Sequence, residues 1–183
     1  MNTIVKYTVV AGAAAWLLAG CATSRTDLPT VANVDLERYA GTWYEQARLP
    51  NKFQDDCVGD VKAEYTLRAM NTIRVVNQCR TEDGSIKTAE AVGRLSRKVT
   101  PRDPARLQVR FAPDWLAWAS AAWGDYWIMR VEGDYEYSLV GTPDRKYLWV
   151  LSRQQQADPM VVQRLLDYAE TQGFDTDQVL ATR

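Results

Sequence analysis

The chain has 183 residues, and its 22 lysines and arginines are balanced by 23 aspartates and glutamates. A balance this close to neutral predicts no nucleic-acid partner, because a nucleic-acid-binding surface requires excess positive charge. The chain contains no histidine, which excludes Ser-His-Asp and Cys-His catalytic systems, His-ligated haem and zinc sites of the HExxH type. We therefore expect no catalytic residue, no metal site and no cofactor, and we expect the scattered carboxylates on a solvated surface.

The first 20 residues indicate a secretory signal. Lys6 supplies a positive charge, and an apolar stretch of about a dozen residues follows, which is too short to span a bilayer comfortably. The stretch ends in the letters LAGC at residues 18–21, which resemble the bacterial lipobox, whose cysteine receives a diacylglyceryl group. We expect residues 1–20 to be removed and Cys21 to be the site of lipid attachment.

The residue after Cys21 and the segment that follows predict where the protein resides. Ala22 stands where an aspartate would resemble an inner-membrane retention signal, which favours the outer membrane, with the domain facing the periplasm. Residues 21–34 are polar and contain a proline, which predicts a flexible tether between the lipid and the domain. The domain itself is expected over residues 35–183, and two or more acyl chains are enough for stable anchoring to a membrane.

The rest of the chain predicts an all-β domain. Short runs rich in valine, isoleucine, tyrosine, tryptophan and threonine alternate with glycine, proline, asparagine and aspartate clusters, as in antiparallel sandwiches and barrels. Val61, Ala63 and Tyr65 alternate with Lys62 and Glu64, so one face of that strand is apolar and the other is wet. Eight strands are predicted, at residues 41–49, 58–67, 72–79, 86–97, 106–111, 126–131, 135–141 and 146–153.

One helix is predicted after the strands. Asp158 is a suitable N-cap, Pro159 suits the first helical position, and Gly173 suits the end. The apolar residues between them recur on one face. A helix with one apolar face must pack on another element, and the outside of the sheet is the available surface.

Four motifs resemble the lipocalin family, and closely the bacterial outer-membrane lipocalins related to apolipoprotein D. They are YAGTWYE at residues 39–45, which contains the family's Gly-X-Trp, AEYTL at 63–67, GDY at 124–126 and PDRKYLWVLSR at 143–153. The resemblance covers nearly the whole domain in the family's order. It implies an eight-stranded antiparallel up-and-down β-barrel with one C-terminal α-helix packed outside.

The barrel topology places Trp43 and Arg153 together. The first strand starts, and the eighth strand finishes, at the same end of an up-and-down barrel, and a guanidinium over an indole gives a cation–π contact. The resemblance assigns this pair as the plug of the closed end and not as ligand contacts.

The interior of the barrel is the expected binding site. Eight strands leave an interior that is either filled by side chains or just wide enough for one small ligand. The residues expected to face it are Ala47, Val61, Ala63, Tyr65, Leu107, Val109, Phe111, Tyr137 and Trp149. Such an apolar lining suits a fatty acid or a lysophospholipid, and the resemblance implies the same ligand class.

The fifth connection, residues 112–123, is far more apolar than a loop requires. It contains Trp115, Trp118 and Trp123 and lies at the open end of the barrel. An apolar patch of this kind marks a ligand lip, a lid that touches the membrane, or an oligomer interface such as a homodimer. The alternative is a short helix that buries its own tryptophans.

Two cysteines remain in the domain, Cys57 and Cys79. The periplasm is oxidising, and removing Cys21 from the count leaves an even pair. If the second and third strands turn at residues 68–71, the two cysteines fall within a few residues of facing each other. We therefore expect a disulfide between them at the open end.

The expected function is that of a lipid-binding outer-membrane lipoprotein that stores or transports fatty acids such as palmitate, or lysophospholipids, and takes part in membrane maintenance under stress. Two alternatives stay open. One is a barrel filled by side chains that binds envelope proteins through the tryptophan-rich loop. The other is an enzyme on the same barrel, which would need an unpaired inward thiol or a pair of carboxylates.

Overall fold

The computed structural model describes residues 28–69, 72–98 and 101–182. The predicted signal sequence, Cys21 and the first part of the tether lie outside these residues. Within them the chain forms nine strands and two α-helices. The strands are β1 Gly41–Arg48, β2 Cys57–Arg68, β3 Thr72–Thr81, β4 Ile86–Leu95, β5 Arg106–Arg110, β6 Gly124–Glu132, β7 Tyr137–Gly141, β8 Leu148–Ser152 and β9 Leu180–Ala181. The helices are α1 Leu36–Tyr39 and α2 Pro159–Thr171.

Strands β1 to β8 close into the predicted antiparallel barrel. Each strand pairs with its neighbour in sequence, and β1 pairs with both β2 and β8. The up-and-down barrel with a C-terminal helix is thus confirmed. The short strand β9 was not predicted, and it adds to β1 through Ala47 and Arg48.

The barrel wall is higher on one side than on the other. Strands β2, β3 and β4 have 12, 10 and 10 residues, whereas β5, β7 and β8 have five each. Strand β5 pairs with β4 only from Val92 to Leu95, so in the described ladders Ile86 to Ala91 of β4 pair with β3 alone. A long connection, residues 111–123, joins β5 and β6. This connection contains two short 3₁₀ turns, Asp114–Leu116 and Ser120–Ala122.

Helix α2 packs outside the barrel, as predicted. Asp158 caps it by accepting a hydrogen bond from the Met160 amide at 2.8 Å. Leu165 and Ala169 are fully buried against the outer face of β7 and β8. Phe174, just beyond the helix, lies so close to Gly141 that a Cβ at that position would stand 2.6 Å from the Phe174 ring. This close approach explains the glycine at the end of β7.

The predicted tether is shorter than expected. Leu28 is fully buried in the core between the barrel and α2, the Thr30 hydroxyl donates to Asp103 at 3.0 Å, and the Val31 amide donates to the Ile128 carbonyl at 3.0 Å. The prediction of a flexible tether is therefore wrong for residues 28–34. The apolar side chains of residues 28–34 are stabilised by burial against the domain, which the mostly polar composition of the whole segment did not indicate.

The predicted disulfide between Cys57 and Cys79 is confirmed. The two Cα atoms are 5.6 Å apart, and the bond links residues separated by 22 positions. Cys57 pairs with Thr81 across the β2–β3 ladder, two residues from Cys79, as the hairpin argument predicts. The bond links β2 to β3 on the higher side of the barrel wall, beside the open end.

Replacing Cys57 and Cys79 together by alanine should lower the free energy of unfolding by about 3 kcal/mol, because the bond restricts the unfolded chain. Urea denaturation of the oxidised wild type and of the double variant measures the difference. Thiol titration of protein isolated from the cell envelope should find the pair oxidised. Two reactive thiols there, or equal stability of the two proteins, would contradict the prediction.

Candidate ligand cavity

The barrel encloses a cavity of about 920 Å³ that is open towards the connections β1–β2, β5–β6 and β7–β8. Six of the predicted cavity residues line it: Val61, Ala63, Tyr65, Val109, Phe111 and Trp149. Leu107 lies lower, beside a separate void of about 10 Å³ at the closed end. The inner faces of β2 and β5 therefore form the wall where the alternating pattern placed it, and β3 contributes lining residues that were not predicted.

Ala47 and Tyr137 do not line the cavity, so these two assignments are wrong. Both belong to the core between the barrel and α2. A β-bulge between Glu45 and Ala47 shifts the alternation by one residue, and such a shift moves every following side chain to the other face. In β7, Ser138 and not Tyr137 faces inward; the strand starts later than predicted because Tyr135 is part of a turn, with φ of +72°.

The floor of the cavity is a chain of four hydroxyl groups. The Tyr126 hydroxyl lies 3.0 Å from the hydroxyls of both Tyr65 and Tyr39, and the Tyr39 hydroxyl lies 2.9 Å from that of Ser138. Tyr65 and Tyr126 face the cavity on one side and the small void on the other. Tyr39, at the end of α1, completes the group from the closed end. Of these four residues, only Tyr65 was among those predicted to face the cavity.

These phenols are uncharged over the whole physiological range. Burial raises the pKa of Tyr39 to about 12, against the partial opposition of its hydrogen bonds to Ser138 and Tyr126. Burial likewise raises the pKa of Tyr65 and of Tyr126, whose phenols would also repel each other and Tyr39 if they were ionised. The floor therefore offers neutral donors and acceptors beneath an apolar wall.

Below the floor, Trp43 and Arg153 close the barrel as predicted. The Arg153 guanidinium lies 3.9 Å from the centre of the Trp43 ring, and its Nη1 donates to the Thr42 carbonyl at 2.8 Å. Trp43 is fully buried, and its indole nitrogen donates to the Tyr39 carbonyl at 2.8 Å. Gly41 has φ of +96°, and a Cβ there would stand 3.4 Å from Arg153 Nη1. Both facts account for the glycine of the Gly-X-Trp motif.

A buried ion pair that was not predicted from the sequence lies beside the cavity. Arg48 Nη1 donates to Glu45 Oε1 at 2.9 Å, and both side chains are almost wholly buried. Gln54, from the β1–β2 connection, donates to Glu45 Oε2 at 2.7 Å and accepts from the Trp149 indole at 3.1 Å. The network fixes the β1–β2 connection to the wall. The ion pair could not be predicted, because no sequence pattern indicates the β-bulge that brings Glu45 and Arg48 together.

The tryptophan-rich connection divides its three rings between solvent and protein. Trp115 and Trp118 are 71% and 82% exposed. Trp123 is buried, with the guanidinium of Arg94 at 3.5 Å and that of Arg110 at 5.2 Å from its ring centre. The alternative, a short helix that buries its own tryptophans, is therefore wrong for Trp115 and Trp118. The open end also carries further exposed apolar side chains, which are Phe53, Val58, Ile86 and Phe111.

In residues 28–69, 72–98 and 101–182, no group of three or more histidine, cysteine, aspartate or glutamate side chains is placed to hold a metal ion. In the same part of the chain, no helix combines the length and the apolar character needed to cross a bilayer.

Residues 34–183 match the family model described as a lipocalin-like domain. The chain belongs to the lipocalin family. This lipocalin is 33% identical to temperature-induced lipocalin-1 of Arabidopsis thaliana over 161 residues, which cover 87% of this chain and 84% of that protein. It is 32% identical to the outer membrane lipoprotein Blc of Escherichia coli K12 over 175 residues, 94% of this chain and 93% of Blc.

More distant comparisons agree with this assignment. Apolipoprotein D of Mus musculus is 27% identical over 163 residues, which cover 84% of this lipocalin and 79% of the mouse protein. The structure of insecticyanin from the tobacco hornworm Manduca sexta superposes with a TM-score of 0.65 at 19% identity, over 86% of this chain and 84% of insecticyanin. At that identity the superposition supports the fold alone.

The buried phenols make a testable contribution to the pH dependence of stability. The folded state raises the pKa of Tyr39 from 10.0 to about 12, so above pH 10 the unfolded chain binds fewer protons than the folded one. The free energy of unfolding should therefore be unaffected by the phenol below pH 10 and fall as the pH rises towards 12, by up to about 1.4 kcal/mol per pH unit for each such tyrosine.

Urea denaturation at a series of pH values measures this slope, and Tyr126→Phe is the matched variant because it removes one phenol from the group while lysines and exposed tyrosines titrate as before. The slope of the variant should be shallower than that of the wild type. Identical slopes would show that the phenols of the floor titrate normally.

Proposed function

We propose that this lipocalin binds one long-chain fatty acid, such as palmitate, or one lysophospholipid, with the acyl tail inside the barrel and the polar head at the open end. The observation that carries the proposal is the cavity of about 920 Å³, closed at one end and open at the other. Volumes of this order are typical of sites for small lipophilic ligands. Because Trp43 and Arg153 close the other end, a tail enters from the mouth.

The expected affinity follows from the burial of the tail. Removing roughly 300 Å² of acyl surface from water at about 25 cal/mol per Å² gives about 7 kcal/mol before the cost of association, so we expect binding no tighter than micromolar. Most of this term is independent of the head group. Lipids that share a tail should therefore bind with similar affinity.

Two structural facts weigh against the alternatives. A barrel filled by side chains would leave no space of this size, so the cavity favours a carrier over a pure interaction module. Within the described part of the chain, the cysteines of the wall are joined to each other and supply no free thiol. We therefore propose that the protein acts by binding a lipid and not by catalysis on it.

The relatives support a place at the outer membrane. One is named an outer membrane lipoprotein, in agreement with the lipobox at residues 18–21. We propose that Cys21 carries the lipid anchor and that the domain faces the periplasm. There the protein stores or carries lipids for membrane maintenance under stress. Trp115 and Trp118 are well suited to contact a membrane surface, where tryptophan is enriched. The same exposed rings would suit a homodimer, which sizing of delipidated protein would reveal.

Filling the cavity should weaken binding. Ala63→Trp places an indole in the wall and displaces part of the tail; losing about 60 Å² of tail burial weakens binding by about tenfold. Tryptophan fluorescence titrated with lysophospholipid on delipidated protein measures the dissociation constant. Thr66→Trp, on the exposed face of the same strand, is the matched control and should bind like the wild type.

Circular dichroism of both variants establishes that the barrel is intact. If delipidated wild-type protein gives no saturable response to any acyl ligand up to the solubility limit of the ligand, the carrier function is wrong. Mass spectrometry of a solvent extract from freshly purified protein supplies the independent answer, because a carrier should retain acyl lipids.

The anchor is tested separately from the cavity. Cys21→Ser removes the thiol that would receive the diacylglyceryl group, so the protein should appear in the soluble envelope fraction or remain as an unprocessed precursor. Fractionation and intact-mass measurement distinguish these two forms from the acylated wild type. A processed Cys21→Ser protein that stays with the membrane would contradict the assignment of Cys21.

A further inference from the structure

Two phenols cross the interior of the barrel between the cavity and the void at the closed end. Tyr65 comes from β2 and Tyr126 from β6, and their hydroxyl oxygens lie 3.0 Å apart. Strands β3, β4 and β5 lie between these two strands on one side, and β7, β8 and β1 lie between them on the other. The two side chains therefore meet from opposite walls, and we call this pair the phenol bridge. An eight-stranded barrel is just wide enough for one small ligand, so a tail cannot pass the phenol bridge.

The void beneath the phenol bridge is a continuation of the apolar interior. It measures about 10 Å³, and aliphatic side chains line it beside the phenols, among them Leu36, Leu67, Ile73 and Leu107. A space of this size holds a water molecule only where several polar groups face it. Tyr65 and Tyr126 line both this void and the cavity above it. The phenol bridge thus ends a cavity whose apolar lining continues below.

The phenol bridge is held in place from the closed end. The Tyr126 hydroxyl lies 3.0 Å from that of Tyr39, which in turn lies 2.9 Å from the Ser138 hydroxyl. The rings of Tyr65 and Tyr126 meet edge to face, with their centres 6.0 Å apart, which is a favourable arrangement for two aromatic rings. Moving either ring aside would break buried hydrogen bonds, which is costly. The phenol bridge is therefore a fixed end of the cavity.

The charges of the site favour the methyl end of a ligand at this depth. The phenols of the bridge are neutral because burial raises the pKa of both. Arg48, a buried cation of the wall, is already paired with Glu45. A carboxylate or phosphate carried down to the phenol bridge would lose its hydration without gaining a free buried cation. A methyl group loses nothing there and gains burial.

We propose that Tyr65 and Tyr126 are specificity-determining residues against which the methyl end of the acyl tail stops, so that they set the longest tail that the barrel buries completely. The inference rests on the proposed function and deepens it, because it assigns the residues that select tail length among the long-chain lipids. Each methylene added to a shorter tail is buried. Methylenes beyond the limiting length stay in water at the mouth.

The experiment measures affinity against tail length. Saturated fatty acids with even carbon numbers, from decanoic to icosanoic acid, compete with a fluorescent fatty acid on delipidated protein. Tyr65→Leu and Tyr126→Leu each remove one ring of the phenol bridge, whereas Tyr65→Phe keeps the ring and removes only the hydroxyl. Tyr44→Leu is the matched control, because it removes a phenol of β1 that lines neither the cavity nor the void. Circular dichroism establishes that each barrel is intact.

In the wild type, the dissociation constant should fall by up to about fourfold for each added methylene and then level off at one tail length. In Tyr65→Leu and in Tyr126→Leu, this limit should move to a longer acid. The first acid beyond the wild-type limit should bind either leucine variant about tenfold more tightly than it binds the wild type, because two more methylenes are buried. Tyr65→Phe and Tyr44→Leu should both keep the wild-type limit.

The outcomes separate this inference from the function on which it rests. An unchanged limit in a leucine variant with an intact barrel would overturn the role of the phenol bridge and leave the carrier function standing; if one leucine variant does not fold, the other decides. Affinity that still rises at icosanoic acid in the wild type would also overturn it. So would equal weakening of all the acids by Tyr65→Phe, which would mean that the carboxyl group lies on the phenols. If none of the acids binds the wild type, the carrier function itself is wrong.

Discussion

The stacking of Arg153 on Trp43 is the contact on which the closure of the barrel depends. Strands β1 and β8 are the first and the last of the eight barrel strands in sequence, so bringing them together carries the largest loop-closure cost of any pairing among these eight. At this junction Arg153 donates to the carbonyls of Thr42 at 2.8 Å and Arg38 at 2.7 Å. A planar guanidinium can stack and donate at the same time, which lysine cannot do.

The floor of the cavity follows from this closure. The indole of Trp43 is bonded to the Tyr39 carbonyl, which fixes the end of α1 and directs the Tyr39 hydroxyl to Tyr126 and Ser138. The closed end is thus a layered structure, with a cation over an indole below and neutral hydroxyls above. These two layers fill one end of the barrel, and the cavity is therefore open at the opposite end alone.

The features of the fold that could be predicted from the sequence are those whose pattern lies in neighbouring residues. The strands, the helix cap at Asp158 and the disulfide were all predictable, because alternation, capping and chain proximity are written in neighbouring residues. The inward positions of Val61, Ala63 and Tyr65 followed from the same alternation. The prediction that Ala47 faces the cavity was wrong because a β-bulge reverses the alternation without any change in composition. The bulge depends on the partner strand.

The polar groups of the site could not be predicted for a related reason. Tyr39, Tyr126 and Ser138 come from α1, β6 and β7, and only the closed barrel brings their hydroxyls together. The partnership of Glu45 with Gln54 and Arg48 likewise depends on the path of the β1–β2 connection.

Strand β9 connects the far end of the domain to the wall of the cavity. The Thr182 hydroxyl donates to Glu45 Oε1 at 2.5 Å, and Glu45 lines the cavity on its other side. A single hydrogen bond thus separates a side chain of the cavity lining from the strand that extends the wall at the edge of β1. An isotope or fluorine label on the last residues would consequently report the filling of the barrel from outside, without a dye inside the cavity competing with the ligand.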